Sequence, residues 1–429
     1  MHRSRRAVFV CCDGLGRNWV TPALTPVLHE IASRSLCCVE HRAIFPSATR
    51  ASAASVATGC YPRRHGLHGN RMGLIEDGKI TVYDVGHPLF RTQMRAATGG
   101  TLRVPTLAQR VADSGGFVAF SNVSPGAAYF LDPENFGFVY HRAGSYAPGG
   151  RLIEGADALN VSHDLAGDWA MTRRFCSQIL CERQPSVSVL WLANPDHVLH
   201  GAPLGSAEHH DALRATERCV RAVIETVERL RGAGETILLL IGSDHGQETI
   251  GDRIAIEEWF ESRGLGADLA SGQIAVATQG TAALLYATQE RRTALLDVLE
   301  AMRREPWAGE ILAEERLAQL HHAASGGVIA AVNMARRDDA NAYGIRGVRW
   351  VAAGTGGQNP IGCGQHGGWG ADETRPFLVL NGPDIPPGVH AGRTSLVDIA
   401  PTILSFLGLP TSDLDGRPLA DFDQGRQAL

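Results

Sequence analysis

The feature that most restricts what this chain can fold into is a series of uninterrupted apolar runs of strand length. They are Ala7 to Cys12, Phe117 to Phe120, Val187 to Leu192, Thr236 to Ile241 and Phe377 to Leu380, and most end in Gly, Asp, Asn or Ser. A strand with one wet face alternates apolar and polar side chains; a continuous apolar strand is buried on both faces. The runs therefore predict a largely parallel sheet wrapped by helices. Helical patterns lie between several of them. The clearest, HHDALRATERCVRAVIETVERLRG, puts Val220, Val223, Ile224 and Val227 on one face and is predicted to end before Gly232, as a helix covering a sheet should.

Two stretches fit this alternation poorly. Residues of roughly 70 to 165 are rich in Gly, Pro, Asn and aromatic side chains and are expected to form a lid or long-loop insertion. Residues 251–350 combine the strand-like AVATQG and ALLYA with the helix-like RRTALLDVLEAMRRE, which predicts a small inserted α/β cap. The expected division is a core of 1–250 and 351–429 with that cap between its parts. At 429 residues the chain is long enough for such a core to bury a site.

A hydrophobic content of 44%, charged content of 20% and net charge of -5 are those of an ordinary globular enzyme, with no basic excess for a nucleic-acid polymer. The opening MHRSRRAVFVCCDG stops its apolar run at Asp13, too early for an export signal. No stretch approaches the roughly 20 apolar residues of a membrane helix. Nine cysteines without disulfide or zinc-site spacing suggest reduced, mostly buried thiols, so the expected setting is the cytoplasm. Oligomeric state is left open.

In open parallel sheets ligands bind at the carboxyl ends of the strands. There the sequence carries Asp13 after the first run, Asp196 and His200 after the third, Asp244 and His245 after the fourth, and His366 before RPFLVL. Taken singly, each is an ordinary helix cap or loop residue. Together, carboxylates with imidazoles favour zinc or a similar first-row divalent ion over magnesium or calcium. The segment AIFPSATRASAASVATG adds Thr49 at the start of a short Ala/Ser-rich helix reaching Val56, where unpaired backbone N–H groups favour an anion. Alone, Thr49 reads more readily as a helix cap, because threonine is common there.

The set as a whole resembles the nucleotide pyrophosphatase/phosphodiesterase branch of the alkaline phosphatase superfamily, which is also close to phosphonoacetate hydrolases. The matching pieces are CCDGLG, FPSATRASAASVATGCYPRRHGLHGN, PDHVLH, SDHG, GQHGG with RPFLVLNGP, and the tail TSLVDIAPTILSFLGLP with DGRPL. The resemblance implies an alkaline phosphatase-like fold and two divalent cations, zinc first and manganese as the alternative. It assigns Asp196, His200 and His366 to one ion and Asp13, Asp244 and His245 to the other, with Thr49 as the nucleophile bridging towards the second. It also makes Asn70 a donor to a phosphoryl oxygen, although Asn in such a turn is commonly structural. Ser52, one helical turn after Thr49, is a further candidate donor.

Cys60-Tyr61-Pro62-Arg63-Arg64 matches the C-x-P-x-R pattern in which sulfatases modify a cysteine. Position argues against that reading, because counting nine residues back from Thr58 lands on Thr49, the place of the nucleophile. The expected substrate is a small phosphate ester or phosphonate. Phosphodiester or pyrophosphate cleavage through a phosphothreonine ranks first and carbon–phosphorus cleavage second. A phosphomonoesterase or phosphomutase and an inactive binding module are the remaining alternatives. Phosphonoacetate hydrolases hold the substrate carboxylate with lysines, whereas Lys79 is the only lysine here; Arg103, Arg110 or Arg142 are candidate replacements.

Overall fold

A computed structural model describes residues 5–322, 326–354, 360–383 and 385–422. Its largest sheet has ten strands, in the order Gly388–Ser395, Leu36–Arg42, Leu378–Asn381, Thr236–Gly242, Arg5–Cys12, Val187–Leu192, Phe117–Ser121 and Phe138–Tyr140, closed by the two-residue strands Ser145–Tyr146 and Leu152–Ile153. Arg5–Cys12 sits at the centre, parallel to both neighbours. Leu378–Asn381 runs antiparallel to the strands beside it, and Ser145–Tyr146 is the other reversal. The sheet is thus mainly parallel, as continuous apolar runs require.

The two faces are filled by alternate residues of the same strands. Ala7, Phe9 and Cys11 pack with Ala51, Ala53 and Val56 of helix Thr49–Thr58 and with Ile399 and Ile403 of helix Ile399–Phe406. Val8, Val10 and Cys12 pack with Val220, Val223, Ile224 and Val227 of helix Ala207–Gly232. That helix starts earlier than its apolar periodicity, because the Ser206 hydroxyl accepts from the His209 N–H and caps it. Gly232 is its last residue rather than its stop signal.

Residues 70–165, expected as long loops, carry regular elements. They include the hairpin Arg71–Glu76 with Lys79–Asp84, helix Phe90–Thr98 and the central strand Phe117–Ser121. The Gly and Pro residues there mark turns between short elements. Further along, Ile274–Thr278, Ala282–Ala287, Val328–Met334 and Ala308–Ala313 form an antiparallel four-stranded sheet covered by helix Arg292–Met302. A third sheet joins Arg336–Ala340, Arg346–Ala352, Glu248–Ile254 and Gly364–Gln365. Among the described residues no helix is long and apolar enough to cross a membrane.

The double-sided core predicts that truncating a central strand is far costlier than truncating an edge. Ile241→Ala, at a fully buried position, should destabilise by about 2–5 kcal/mol, whereas Val389→Ala, 66% exposed on an edge strand, should stay within about 0.5 kcal/mol. Urea unfolding midpoints measure both.

Candidate functional site

The carboxyl ends of three adjacent strands deliver the acidic residues to one place. Asp13 follows Arg5–Cys12, Asp196 follows Val187–Leu192 after a three-residue turn, and Asp244 and His245 follow Thr236–Gly242. Gly14 turns the chain away with φ +71°, and a Cβ there would lie 2.9 Å from Asp196 Cβ, so the first strand end needs glycine beside its aspartate. The turn before Asp196 is pinned by buried Asp168, whose carboxylate accepts from the Ala193 and Asn194 N–H groups and from the side chains of Asn122 and Asn194.

Two ligand groups result: Asp13, Asp244 and His245, and Asp196, His245 and His366. His245 Nε2 lies 3.4 Å from Asp13 Oδ1 and 3.2 Å from Asp244 Oδ2, while His366 Nε2 is 3.5 Å from Asp196 Oδ1. The rings of His245 and His366 stack at 3.6 Å between centroids. His200 Nε2 reaches Asp196 Oδ2 at 3.2 Å but stays outside the tighter groups. All six residues singled out as ligands therefore converge, with His245 standing between the two groups instead of belonging to one.

The proton positions follow from the neighbours. His245 Nδ1 faces the Gly246 carbonyl at 2.9 Å and His366 Nδ1 faces the Ser47 carbonyl at 2.7 Å. A ring nitrogen against a carbonyl must donate, so in each neutral ring Nε2 turns a lone pair into the site. Its contacts with the carboxylates are then acceptor to acceptor. Asp13 Oδ1 and Asp244 Oδ2 are buried and have no hydrogen-bond partner among the described residues. Their outer oxygens are held, Asp13 Oδ2 by Trp191 Nε1–H at 3.0 Å and Asp244 Oδ1 by the Gly14 N–H at 3.3 Å. Burial, followed by repulsion from Asp244 and Asp196, pushes the Asp13 carboxyl well above its usual range. Burial also raises Asp244. Orphaned, desolvated acceptors in an N/O set fit a divalent cation, which would satisfy all of them at once.

Thr49 is the first residue of helix Thr49–Thr58, and Ala48 occupies the cap position, so the Thr49 hydroxyl is not consumed in capping. Its Oγ1 lies 3.1 Å from His245 Nε2. Asn70 Oδ1 accepts from the Arg50 N–H at 3.1 Å, and the Asn70 N–H donates to Gln279 Oε1 at 2.6 Å. Ser52 Oγ is buried without a partner among the described residues and does not line the neighbouring cavity.

That cavity, about 420 Å³, is lined by Asn70, His200 and His366 together with Arg50, Arg71, Arg253, Thr278 and Gln279. Arg103, Arg110 and Arg142 do not reach it: Arg110 pairs with Asp413, and Arg142 donates to the carbonyls of Asn122 and Val123. Arg50, Arg71 and Arg253 were invisible as site residues in the sequence, as were Trp191, Ser47 and Asp168, because no spacing marks them. Adjacency to Thr49 and Asn70 was the one available hint, and it points to Arg50 and Arg71.

A mainly parallel sheet between helices thus gathers acidic and imidazole side chains at its strand ends. The chain belongs to the type I phosphodiesterase / nucleotide pyrophosphatase family, whose profile matches residues 7–335. Among solved structures it is similar to murine ectonucleotide pyrophosphatase/phosphodiesterase 5, with 15% identity and a TM-score of 0.67 over 96% of this chain and 97% of that one. An inactive threonine-to-alanine form of that mouse protein, in complex with AMP, matches equally well. Phosphonoacetate hydrolase from Sinorhizobium meliloti 1021, in complex with phosphonoformate, shows 16% identity and a TM-score of 0.68 over 95% and 96% of the two chains. Among curated proteins nothing matches the chain.

The shared position of His245 yields a prediction about metal content. If each group holds one cation, removing Asp13 or Asp244, or on the other side Asp196 or His366, should each cost about one equivalent of metal in protein loaded with zinc. His245→Ala should impair both sites, and His200→Ala should lose least, as measured by elemental analysis after dialysis. Equal losses from His245→Ala and His200→Ala would refute this assignment.

Proposed function

We propose that this protein is a two-metal phosphohydrolase that cleaves phosphodiester or pyrophosphate bonds, with Thr49 as nucleophile. The observation that carries the reading is the Thr49 hydroxyl, uncommitted to its helix cap and 3.1 Å from His245 at the junction of the two ligand groups. Asp13, Asp244 and His245 would hold one cation and Asp196 and His366 the other, with His200 beside Asp196 as its outer, weaker ligand and His245 between the two, zinc or manganese by their donor atoms. Bound ions would lower the pKa of the threonine hydroxyl and of the later water, and offset charge on the phosphoryl oxygens.

Thr49 Oγ attacks phosphorus as the bond to the leaving oxygen breaks, giving a phosphothreonine. Water then cleaves that ester, returning the hydroxyl and releasing the phosphoryl product. Helix Thr49–Thr58 would add the positive end of its dipole at the start, beside the Thr49 hydroxyl. Because a backbone N–H can only donate, the Asn70 atom facing Arg50 is the oxygen. The amide nitrogen is thus left as a donor to a phosphoryl oxygen on the cavity side. Residues 251–350 act in this reading as a cap over the core, since Arg253, Thr278 and Gln279 line the cavity together with Asn70 and His366. All nine cysteines are free thiols, which supports a reducing, cytoplasmic setting.

Phosphonoacetate hydrolase-like cleavage of a carbon–phosphorus bond is the second reading, supported by a cavity wall with three arginines. Thr49→Ala should reduce turnover of bis-p-nitrophenyl phosphate about 10³-fold or more in metal-replete protein, with Thr49→Ser retaining part of it. Unchanged turnover by Thr49→Ala would remove Thr49 from the reaction. Wild-type preference for the diester over p-nitrophenyl phosphate would separate a diesterase from a monoesterase or phosphomutase, and bound metal with no hydrolysis of any ester or phosphonate would favour a binding module.

A further inference from the structure

Near His366 lies a buried acid that belongs to neither ligand group. Glu373 is fully buried, and its Oε2 accepts from three donors: the Ser47 hydroxyl at 3.1 Å, the Thr281 hydroxyl at 2.5 Å and the Gly368 N–H at 2.9 Å. Its Oε1 accepts from the Gly370 N–H at 2.8 Å. Four donors against two oxygens suit an ionised carboxylate, which only accepts. Buried Arg349 adds positive charge, with Nη1 3.8 Å from Glu373 Oε1 and 3.3 Å from Oε2 of a second buried acid, Glu248.

Each residue that donates to Oε2 also holds His366 or belongs to the turn just after it. The Ser47 carbonyl accepts from His366 Nδ1 at 2.7 Å, and the Ser47 hydroxyl oxygen accepts from the Gly367 N–H at 3.0 Å. The single Ser47 hydroxyl proton has two acceptors in reach, the Gly368 carbonyl at 3.0 Å and Glu373 Oε2 at 3.1 Å, and the carboxylate is the stronger. The Thr281 N–H donates to the His366 carbonyl at 3.1 Å. A Cβ on Gly368 would come 2.9 Å from Glu373 Oε1, so the turn after the histidine is fitted to the carboxylate. The ring, the carbonyl and the following turn of His366 are thus fastened to residues that converge on one oxygen. His245 has a separate support, because its Nδ1 faces the Gly246 carbonyl, and the Gly246 N–H donates to the backbone carbonyl of Glu373 at 2.8 Å. A change of the Glu373 side chain removes neither of those bonds.

Resting on the metal assignment proposed above, we infer that Glu373 is a positioning residue for the cation of Asp196 and His366: acting through Ser47, Thr281 and Gly368, it aims the His366 Nε2 lone pair into that group and sets its affinity for metal. Partners that orient a ligating imidazole control metal affinity by about tenfold to a hundredfold. The effect is selective, since Asp13 and Asp244 are held instead by Trp191 and the Gly14 N–H. Glu373→Gln isolates it. Glutamine keeps the size of the side chain but puts an NH2 against the N–H of Gly368 or of Gly370, whichever way it turns.

The test is calorimetric zinc binding to the full chain after metal removal, in two backgrounds that each leave one ligand group intact. In Asp13→Asn protein, which keeps Asp196 and His366, Glu373→Gln should weaken zinc binding about tenfold or more. In Asp196→Asn protein, which keeps Asp13, Asp244 and His245, the same change should stay within about twofold. Ser47→Ala, which deletes one buried oxygen from the same path, is the second variant should Glu373→Gln fail to fold, and it should reproduce the selective loss. The two changes combined should lose little more than the larger single one, because they act in series. Equal losses in both backgrounds, as a general loosening of the fold produces, or no loss in Asp13→Asn protein, overturn the role of Glu373 and leave the metal assignment standing. Wild-type protein that takes up no zinc overturns that assignment, and this inference with it.

Discussion

Several buried acceptors aimed at one another set the terms for the rest of this structure. Asp13 Oδ1 and Asp244 Oδ2 lie 3.4 and 3.2 Å from His245 Nε2, and the two carboxylate oxygens lack any donor among the described residues. Unpaired buried charge of this kind costs several kcal/mol per ion unless a cation answers it. The surroundings hold the acceptors in place from behind. Trp191 and the Gly14 N–H take the outer carboxylate oxygens, the carbonyls of Gly246 and Ser47 take the outer ring nitrogens, and Asp168 clamps the turn that presents Asp196. The parallel sheet makes this possible, because three strands that run the same way end side by side.

How much of this was legible in the sequence follows from where the information resides. Asp13, Asp196, Asp244 and His245 could be found because each closes or closely follows an apolar run, and a run buried on both faces is a local property of the chain. Thr49 and Asn70 were readable from the segment around one short helix. The arginines were not. Arg103, Arg110 and Arg142 have the same side chain as Arg71 and Arg253, and only the meeting of the Arg71–Glu76 hairpin with Ile274–Thr278 and Glu248–Ile254 decides which of them face the cavity. The Gly- and Pro-rich composition of 70–165 misled in a similar way, since short elements with tight turns have the same composition as loops.

The sheet that ends at Thr278 matters to the site through one side chain. Gln279 bonds the backbones of Asn70 and Arg71 on one side and the Ala277 carbonyl on the other. A cavity wall built from separate segments is held together there by a neutral amide, which can both accept and donate. Glutamate would lack the donor that meets the Arg71 and Ala277 carbonyls.

Helix Thr49–Thr58 is built from alanine, serine and other small residues, and all but Arg50 are buried. Its distance from the sheet is therefore set by methyl groups, the least compressible spacers a protein has. At Ala51, Ala53, Ala54 and Ala57 nothing but glycine is smaller, and a larger side chain at these buried positions would press the helix, and Thr49 with it, away from the sheet. The segment behaves as a shim under the hydroxyl, and its tolerance to sequence drift should be the narrowest in the chain even though most of its side chains touch no ligand.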